Sequence, residues 1–280
     1  MLEFNSYFKV IQKCNKMVLK IILPLVFLAN MFAINSQEKK FDQSIKAENM
    51  KHLGLIGGLS WHSTVEYYKY INTAVNTHYG NNTNPPLSVY TLNQAEVHRF
   101  QKENKWDSIA YMLADAGKRL KLGGAESVLF CSNTPHKVYD LVEKQLDIPM
   151  IHIGDATAKA IQEKGLKKVG FIGTKFTMEG DFITSRIEKK GIETIVPNKS
   201  ETLNELHRII HEELTYGKIV PESKKYVLSV IQNMIDNGAE GIILGCTEFP
   251  LMIFQEDLNI PVFNTSLIHS KTAADYILNK

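Results

Sequence analysis

The chain has 280 residues, 44% of them hydrophobic and 22% charged, with a formal net charge of +2. That composition suits one large globular domain or two smaller ones and excludes a disordered or fibrous chain. Lys9, Lys13, Lys16 and Lys20 stand against Glu3 in the first 36 residues, leaving the remainder near −1 with no basic run; nucleic acid is excluded as a partner, because phosphate binding needs clustered Lys and Arg.

The chain opens on a basic stretch, then an apolar run from Ile21 to Ala29, then small and polar residues through Gln37. This is the layout of a signal peptide over residues 1–36, and it predicts an exported, periplasmic protein. The run falls short of the ~20 residues of a membrane span; a leader that stays uncleaved would anchor the protein to the membrane. Residues 37–50 are charged and read as a linker.

Beyond it, short apolar runs bounded by Gly or Pro alternate with longer stretches of helical spacing, the pattern of a parallel sheet covered by helices. In chain order the pattern predicts a strand over 53–56, a helix over 63–77, a loop over 80–86, a strand over 87–92, a helix over 106–122, and strands over 127–131 and 150–153. A helix over 155–164, a strand over 168–172, a helix over 181–190 and a strand over 193–195 follow. Helices over 201–215 and 222–237, strands over 241–245 and 262–263, and a helix over 266–278 complete the reading. In the first helix Val65, Tyr68, Ile71 and Val75 recur at three to four residues and form an apolar face.

A segment is written twice. Gly-Ala-Glu-Ser-Val-Leu-Phe-Cys-Ser-Asn-Thr-Pro (124–135) and Gly-Ala-Glu-Gly-Ile-Ile-Leu-Gly-Cys-Thr-Glu-Phe-Pro (238–250) align on Gly-Ala-Glu at an offset of 114, which sets Ser132 opposite Cys246. Leu53 to Gly58 recurs at Val169 to Thr174, 116 residues on, and Ile148 to Ile151 at Ile260 to Phe263, 112 residues on. Three matches in the same order indicate two homologous halves. A duplicated strand that ends in a polar, nucleophile-sized residue once per half suggests two facing chemical groups, the requirement of a two-base reaction.

Parallel sheets bind ligands beyond the carboxyl ends of their strands. The residues found there are Gly57, Gly58, Leu59 and Ser60; Asn93; Ser132, Asn133 and Thr134; Thr174 and Lys175; and Cys246, Thr247 and Glu248. Rich in hydroxyls, amides and glycine N–H groups, this set suits a small carboxylate better than a nucleotide. The full Gly-x-Gly-x-x-Gly and the Gly-x-x-x-x-Gly-Lys-Ser/Thr motifs are absent, as is any His-Glu-x-x-His or Cys-x-x-Cys, so neither a nucleotide nor a metal is expected. The nine histidines are scattered. His136 falls one turn into the segment after Ser132 and either supports that loop or takes part in chemistry. Cys131 reads as a buried strand residue, whereas Cys246, at a strand end under a following helix, has the ingredients of a lowered pKa.

At these residues the chain resembles the aspartate/glutamate racemases, cofactor-independent amino acid racemases. The segments that carry the likeness are Gly-Leu-Ile-Gly-Gly-Leu-Ser-Trp-His-Ser-Thr-Val-Glu-Tyr-Tyr-Lys-Tyr-Ile-Asn (54–72), Ser-Asn-Thr-Pro-His-Lys-Val (132–138), His-Ile-Gly-Asp-Ala-Thr (152–157), Gly-Thr-Lys-Phe-Thr-Met-Glu-Gly-Asp-Phe (173–182) and Leu-Gly-Cys-Thr-Glu-Phe (244–249). The resemblance implies an α/β fold of two pseudo-symmetric halves, 51–153 with 265–280 and 154–264, each a mainly parallel sheet flanked by helices, with the site in the cleft between them. It further implies a homodimer, an amino acid substrate and no cofactor. Cys246 matches the second catalytic cysteine of the family; Ser132 stands where the first usually is, as in a subgroup that carries a hydroxyl there. Asn133, Thr134, Thr174 and Thr247 match substrate-contacting positions, with Glu248 beside them. Leu59 matches a loop position usually held by Met, and Gln101 lies in the segment that reaches toward the substrate side chain. Lys175 either pairs with a side-chain carboxylate or is a plain surface lysine. Because a hydroxyl is a far weaker acid than a thiol, the resemblance predicts an asymmetric reaction, with abstraction by Cys246 fast and the opposite step slow. Two other readings are a weakened family member that binds acidic amino acids in the envelope, and a hydrolase or lyase using Cys246 as nucleophile.

Overall fold

Among the described residues, 49–280 of the computed structural model, seven short parallel strands build two sheets. The leader expected over 1–36, and the linker over 37–50 as far as residue 48, lie outside the described residues. In the first sheet β1 (Leu53–Gly57) lies between β2 (Leu87–Thr91) and β3 (Ser127–Phe130). In the second the order is β5 (Glu193–Ile195), β4 (Lys168–Gly173), β6 (Ile242–Gly245) and β7 (Val262–Asn264). β1, β3 and β6 are buried along their whole length, so they read as unbroken apolar runs rather than alternating ones.

The two sheets share a register. Gly54 pairs with Val128, and Gly170 with Ile242, counterparts under the repeat. Gly124 and Gly238, which open the two Gly-Ala-Glu triplets, have φ of 94° and 92°, left-handed backbone that costs a residue with a Cβ about 1–2 kcal/mol. Two residues on, Glu126 N–H donates to the His52 carbonyl and Glu240 N–H to that of Lys168, both at 2.8 Å. Their carboxylates accept in return from His52 N–H at 2.9 Å and from Lys168 N–H at 3.2 Å. The repeated triplet is thus a turn and a two-way stitch that locks β3 onto β1 and β6 onto β4.

The helices are α1 (Trp61–Tyr79), α2 (Gln94–Lys102), α3 (Trp106–Leu122), α4 (Tyr139–Glu143), α5 (Ile153–Glu163), α6 (Lys175–Glu179), α7 (Thr184–Glu188), α8 (Ser200–Arg208), α9 (Pro221–Asp236) and α10 (Thr265–Ile277). Several depart from the sequence reading. The strand expected over 150–153 shrinks to one parallel bridge between Val128 and Met150, because His152, its Nδ1 accepting from Gly154 N–H at 2.9 Å, turns the chain into α5. On α1 the buried face is Tyr67, Ile71 and Val75, whereas Val65 and Tyr68 are 53% and 52% exposed; the four-residue step through Tyr67 wins because its hydroxyl reaches His269 Nδ1 at 2.8 Å. The helix expected over 181–190 is regular only across α7, the turn carrying buried Ile187. That over 201–215 ends at Arg208 and continues as a π turn, Ile209–Glu213, and a 3₁₀ turn, Leu214–Tyr216. There the Thr215 hydroxyl takes the Ile210 carbonyl at 2.7 Å, and Arg208 gathers Glu205 and Glu213. α2, α4 and α6 lack an apolar period to announce them; Val97 is the only buried residue of α2.

The apolar cores cross over between the sheets. Ile153, Ala158 and Ile161 of α5, which follows the first sheet, pack with Val169, Phe171 and Ile243 of the second. Ala273, Ala274 and Ile277 of α10, which follows β7, pack with Leu53, Leu55, Tyr67 and Ile71 of the first. At roughly 1.5–3 kcal/mol for each buried isoleucine, this exchange ties the strand ends of both sheets together.

Candidate active site

The carboxyl ends of β1, β3, β4 and β6 open onto one cavity of about 50 Å³. One water needs ~10–15 Å³, so the space suits a few waters or a single small molecule. Its wall holds Leu59, Gln101, Ser132, Asn133, Thr134, Thr174, Cys246, Thr247 and Glu248, all but one of the site residues carried over from the family resemblance; of the other strand-end residues Ser60 lines it, whereas Gly57, Gly58 and Asn93 do not. The site residue left out is Lys175, whose Nζ donates to Asn204 Oδ1 at 2.9 Å and sits 3.6 Å from Glu179.

Ser132 and Cys246 each follow a strand at the repeat's counterpart position, one per sheet. The loops that carry them are joined by side chains. Thr134 and Thr174, also one per sheet, have hydroxyls 3.2 Å apart. Asn133 Nδ2 donates to Thr265 Oγ1 at 3.0 Å, and that hydroxyl donates to the Leu244 carbonyl at 2.8 Å. The arrangement leaves Asn133 Oδ1 buried without a partner, an acceptor available to an N–H group placed in the cavity.

Cys246 is buried, and its thiol donates to Glu248 Oε2 at 2.8 Å; the Thr247 hydroxyl donates to the same oxygen at 2.8 Å. Burial first, and the Glu248 carboxylate second, hold the thiol well above its usual pKa. This corrects the expectation of a lowered pKa. The segment after Cys246 is a single 3₁₀ turn, Phe249–Leu251, too short to supply a helix dipole, and the nearest charge is negative. Cys131 is fully buried among Leu55, Tyr67 and Leu129, where burial likewise raises its thiol pKa; it is not part of the cavity wall. His136 is a support of the Ser132 loop. Its Nε2 accepts from Ile153 N–H at 3.2 Å, so Nδ1 carries the proton and donates to the Asn133 carbonyl at 3.1 Å; burial keeps the ring neutral.

Sequence reasoning missed a histidine cluster. His98 of α2 and His211 of the π turn both line the cavity, their ring centroids 5.6 Å apart, and His207 of α8 stands 4.3 Å behind His211. All three pKa values are lowered, burial being the main cause; for His211, His207 and His98 add to it and the value falls to about 4. The i, i+4 spacing of His207 and His211 was the available signal, but His98 joins them only through the fold. Among the described residues no group of three or more His, Cys, Asp or Glu is arranged to hold a metal ion.

The Asp/Glu/Hydantoin racemase family model matches residues 56–273. Among solved structures, the "putative Asp/Glu Racemase from Yersinia pestis" is 41% identical with a TM-score of 0.77, and an aspartate racemase homologue from Pyrococcus horikoshii OT3 is 38% identical with a TM-score of 0.72; each match covers 82% of this chain and 100% of the other. Among curated proteins, the glutamate racemase of Persephonella marina is 25% identical over 169 residues, 60% of this chain and 63% of that protein. The broad specificity amino-acid racemase RacX of Bacillus subtilis is 23% identical over 176 residues, 61% of this chain and 74% of that protein. The chain therefore spans less than two thirds of the Persephonella enzyme it matches.

Proposed function

The chain belongs to the Asp/Glu/hydantoin racemase family, and from that membership we propose that it is an amino acid racemase acting on aspartate or glutamate without pyridoxal phosphate. The observation that carries this reading is the convergence of Ser132 and Cys246, one per sheet, on a single small cavity rich in hydrogen-bonding groups. In the proposed reaction the Cys246 thiolate removes the Cα proton from one face. The carbanion spreads into the α-carboxylate, stabilised by hydroxyl donors such as Thr134 and Thr174. Ser132 then delivers its O–H proton to the opposite face and recovers one from water. Glu248, already bonded to Sγ, relays the thiol proton to solvent beforehand and so is ionised again when the substrate is bound. The substrate ammonium, placed against Glu248 and the free Asn133 Oδ1, offsets the charge that holds the thiol protonated. Proton abstraction on the two faces is unequal because a hydroxyl is the weaker acid and base.

The basic, apolar, then small-residue order of 1–36 supports export to the periplasm. Trp61, Val65 and Tyr68, exposed on one side of α1, supply an apolar face for the homodimer the resemblance implies. The decisive test is incubation of the purified protein with each enantiomer of aspartate and glutamate in D₂O, with and without a carbonyl reagent that traps pyridoxal phosphate. Deuterium at Cα together with the opposite enantiomer, insensitive to the reagent, is the expected result. Tight binding without exchange would instead make it an amino acid-binding protein.

A further inference from the structure

An acidic amino acid brings one charge more than this cavity answers. Its ammonium has Glu248 and Asn133, and its α-carboxylate has hydroxyl donors, but the second carboxylate has no fixed cation: no lysine or arginine stands on the wall. Lys175 is held by Asn204 and Glu179, and Lys137 lies over the Trp106 ring, 4.2 Å from its centroid. Leaving a carboxylate desolvated and unpaired costs several kcal/mol. The groups that can acquire a positive charge are His98 and His211, which come from separate helical elements and both face the cavity.

Resting on the racemase reading, we propose that His98 and His211 form the subsite for the side-chain carboxylate of the substrate, and that they take up a proton when it binds. The surrounding groups fit this coupling. In the empty site burial keeps both rings neutral; His207 opposes protonation of His211, Lys175 opposes that of His207, and Glu248, from the loop after β6, favours a charge on both His98 and His211. A carboxylate within ~4–6 Å shifts a neighbouring pKa by about 1–3 units toward the charged form. The carboxylate would therefore bring its own counter-charge, whereas an amide side chain of the same shape would bind the neutral rings. The sign follows: histidines whose pKa rises on binding make affinity for aspartate or glutamate fall as pH rises, by up to about tenfold per pH unit between the free and bound values.

Calorimetric titration of the full chain with L-Asp, L-Glu, L-Asn and L-Gln near pH 6.5, in two buffers of different ionisation heat, counts the protons taken up. The expected result is a net proton uptake for the acids and none for the amides, lost in His98→Gln and His211→Gln. In His211→Lys the acids should bind with a fixed counter-charge and a reduced pH slope. Uptake that is absent for the acids, equal for the amides, or undiminished in both glutamine variants overturns the proposal, as does failure of all four ligands to bind. Cα exchange, measured separately, reports on the racemase reading: exchange without proton uptake sinks the subsite alone.

Discussion

Replacing Ser132 by Cys tests the two-sided reaction most directly. Enantiomers in water are isoenergetic, so kcat/KM for inversion is the same in both directions whatever groups carry it; the inequality between thiol and hydroxyl must show in hydrogen exchange. The enantiomer whose Cα–H faces Cys246 loses its proton to the thiolate and regains a solvent hydrogen on the same face many times before Ser132 donates. Its mirror image must lose its proton to Ser132, so its exchange and inversion run together. A hydroxyl is a far weaker acid than a thiol near pKa 8.5, and Brønsted behaviour passes part of that gap into the rate of proton transfer. Burial and Glu248 raise the Cys246 thiol, which narrows the gap, so exchange should outrun inversion by about 10²-fold for one enantiomer and by about onefold for the other. In Ser132→Cys the first ratio should fall toward one while inversion rises by a similar factor. Loss of the Cα–H signal by NMR in D₂O, with chiral chromatography of the same samples, measures both rates. Ratios near one for both enantiomers of the wild type, or a ratio unmoved by Ser132→Cys, would refute the reasoning.

Because the Cys246 pKa is raised, the thiolate forms only as pH increases, and Cα exchange should climb through the alkaline range. Glu248→Gln removes the carboxylate's share of that shift but not the larger share from burial, so the rise should move to lower pH yet stay above that of an ordinary thiol; a profile that moves upward contradicts the assignment. Cys131→Ala removes a group about the size of a methylene from a dry core, and should cost about 1 kcal/mol in urea unfolding while leaving exchange within about twofold; abolished exchange would transfer the role assigned to Ser132 to Cys131. Gly124→Ala and Gly238→Ala should each destabilise by about 1–2 kcal/mol, and unequal costs would show that the two Gly-Ala-Glu stitches are not equivalent.

What could be read from sequence had a local cause. Buried parallel strands must be apolar on both faces, so β1, β3, β4 and β6 stood out and their ends located the cavity. α3 matched its expected span because its apolar period and its terminal Gly123 are both local. The readings that failed depend on neighbours far along the chain. Tyr67, not Val65 or Tyr68, faces inward because His269, about 200 residues on, waits for its hydroxyl. The Cys246 pKa went the wrong way because a dipole was inferred from a helix that is one 3₁₀ turn, and because the Glu248 side chain folds back onto Sγ. His98 could not be associated with His211 until α2 and the π turn were placed side by side.

The duplication explains why the backbone is symmetric while the side chains at the strand ends are not. The shared parts are those that build strands: matched register, positive-φ glycines, glutamate stitches, and helix caps at His152 and Asn264, counterparts 112 residues apart. The side chains presented at the strand ends have diverged in concert. Opposite Cys246 is Ser132, and opposite Glu248 under the same 114-residue offset is Thr134. Glu248 accepts from the thiol, whereas the Thr134 hydroxyl pairs with Thr174 instead of serving Ser132. Among the described residues a carboxylate is bonded to the strand-end group on the Cys246 side only. A symmetric two-thiol site would need a relay in both halves. Restoring the thiol alone, in Ser132→Cys, should thus leave that face slower than the Cys246 face, and adding Thr134→Glu to it tests whether the missing relay is what separates them.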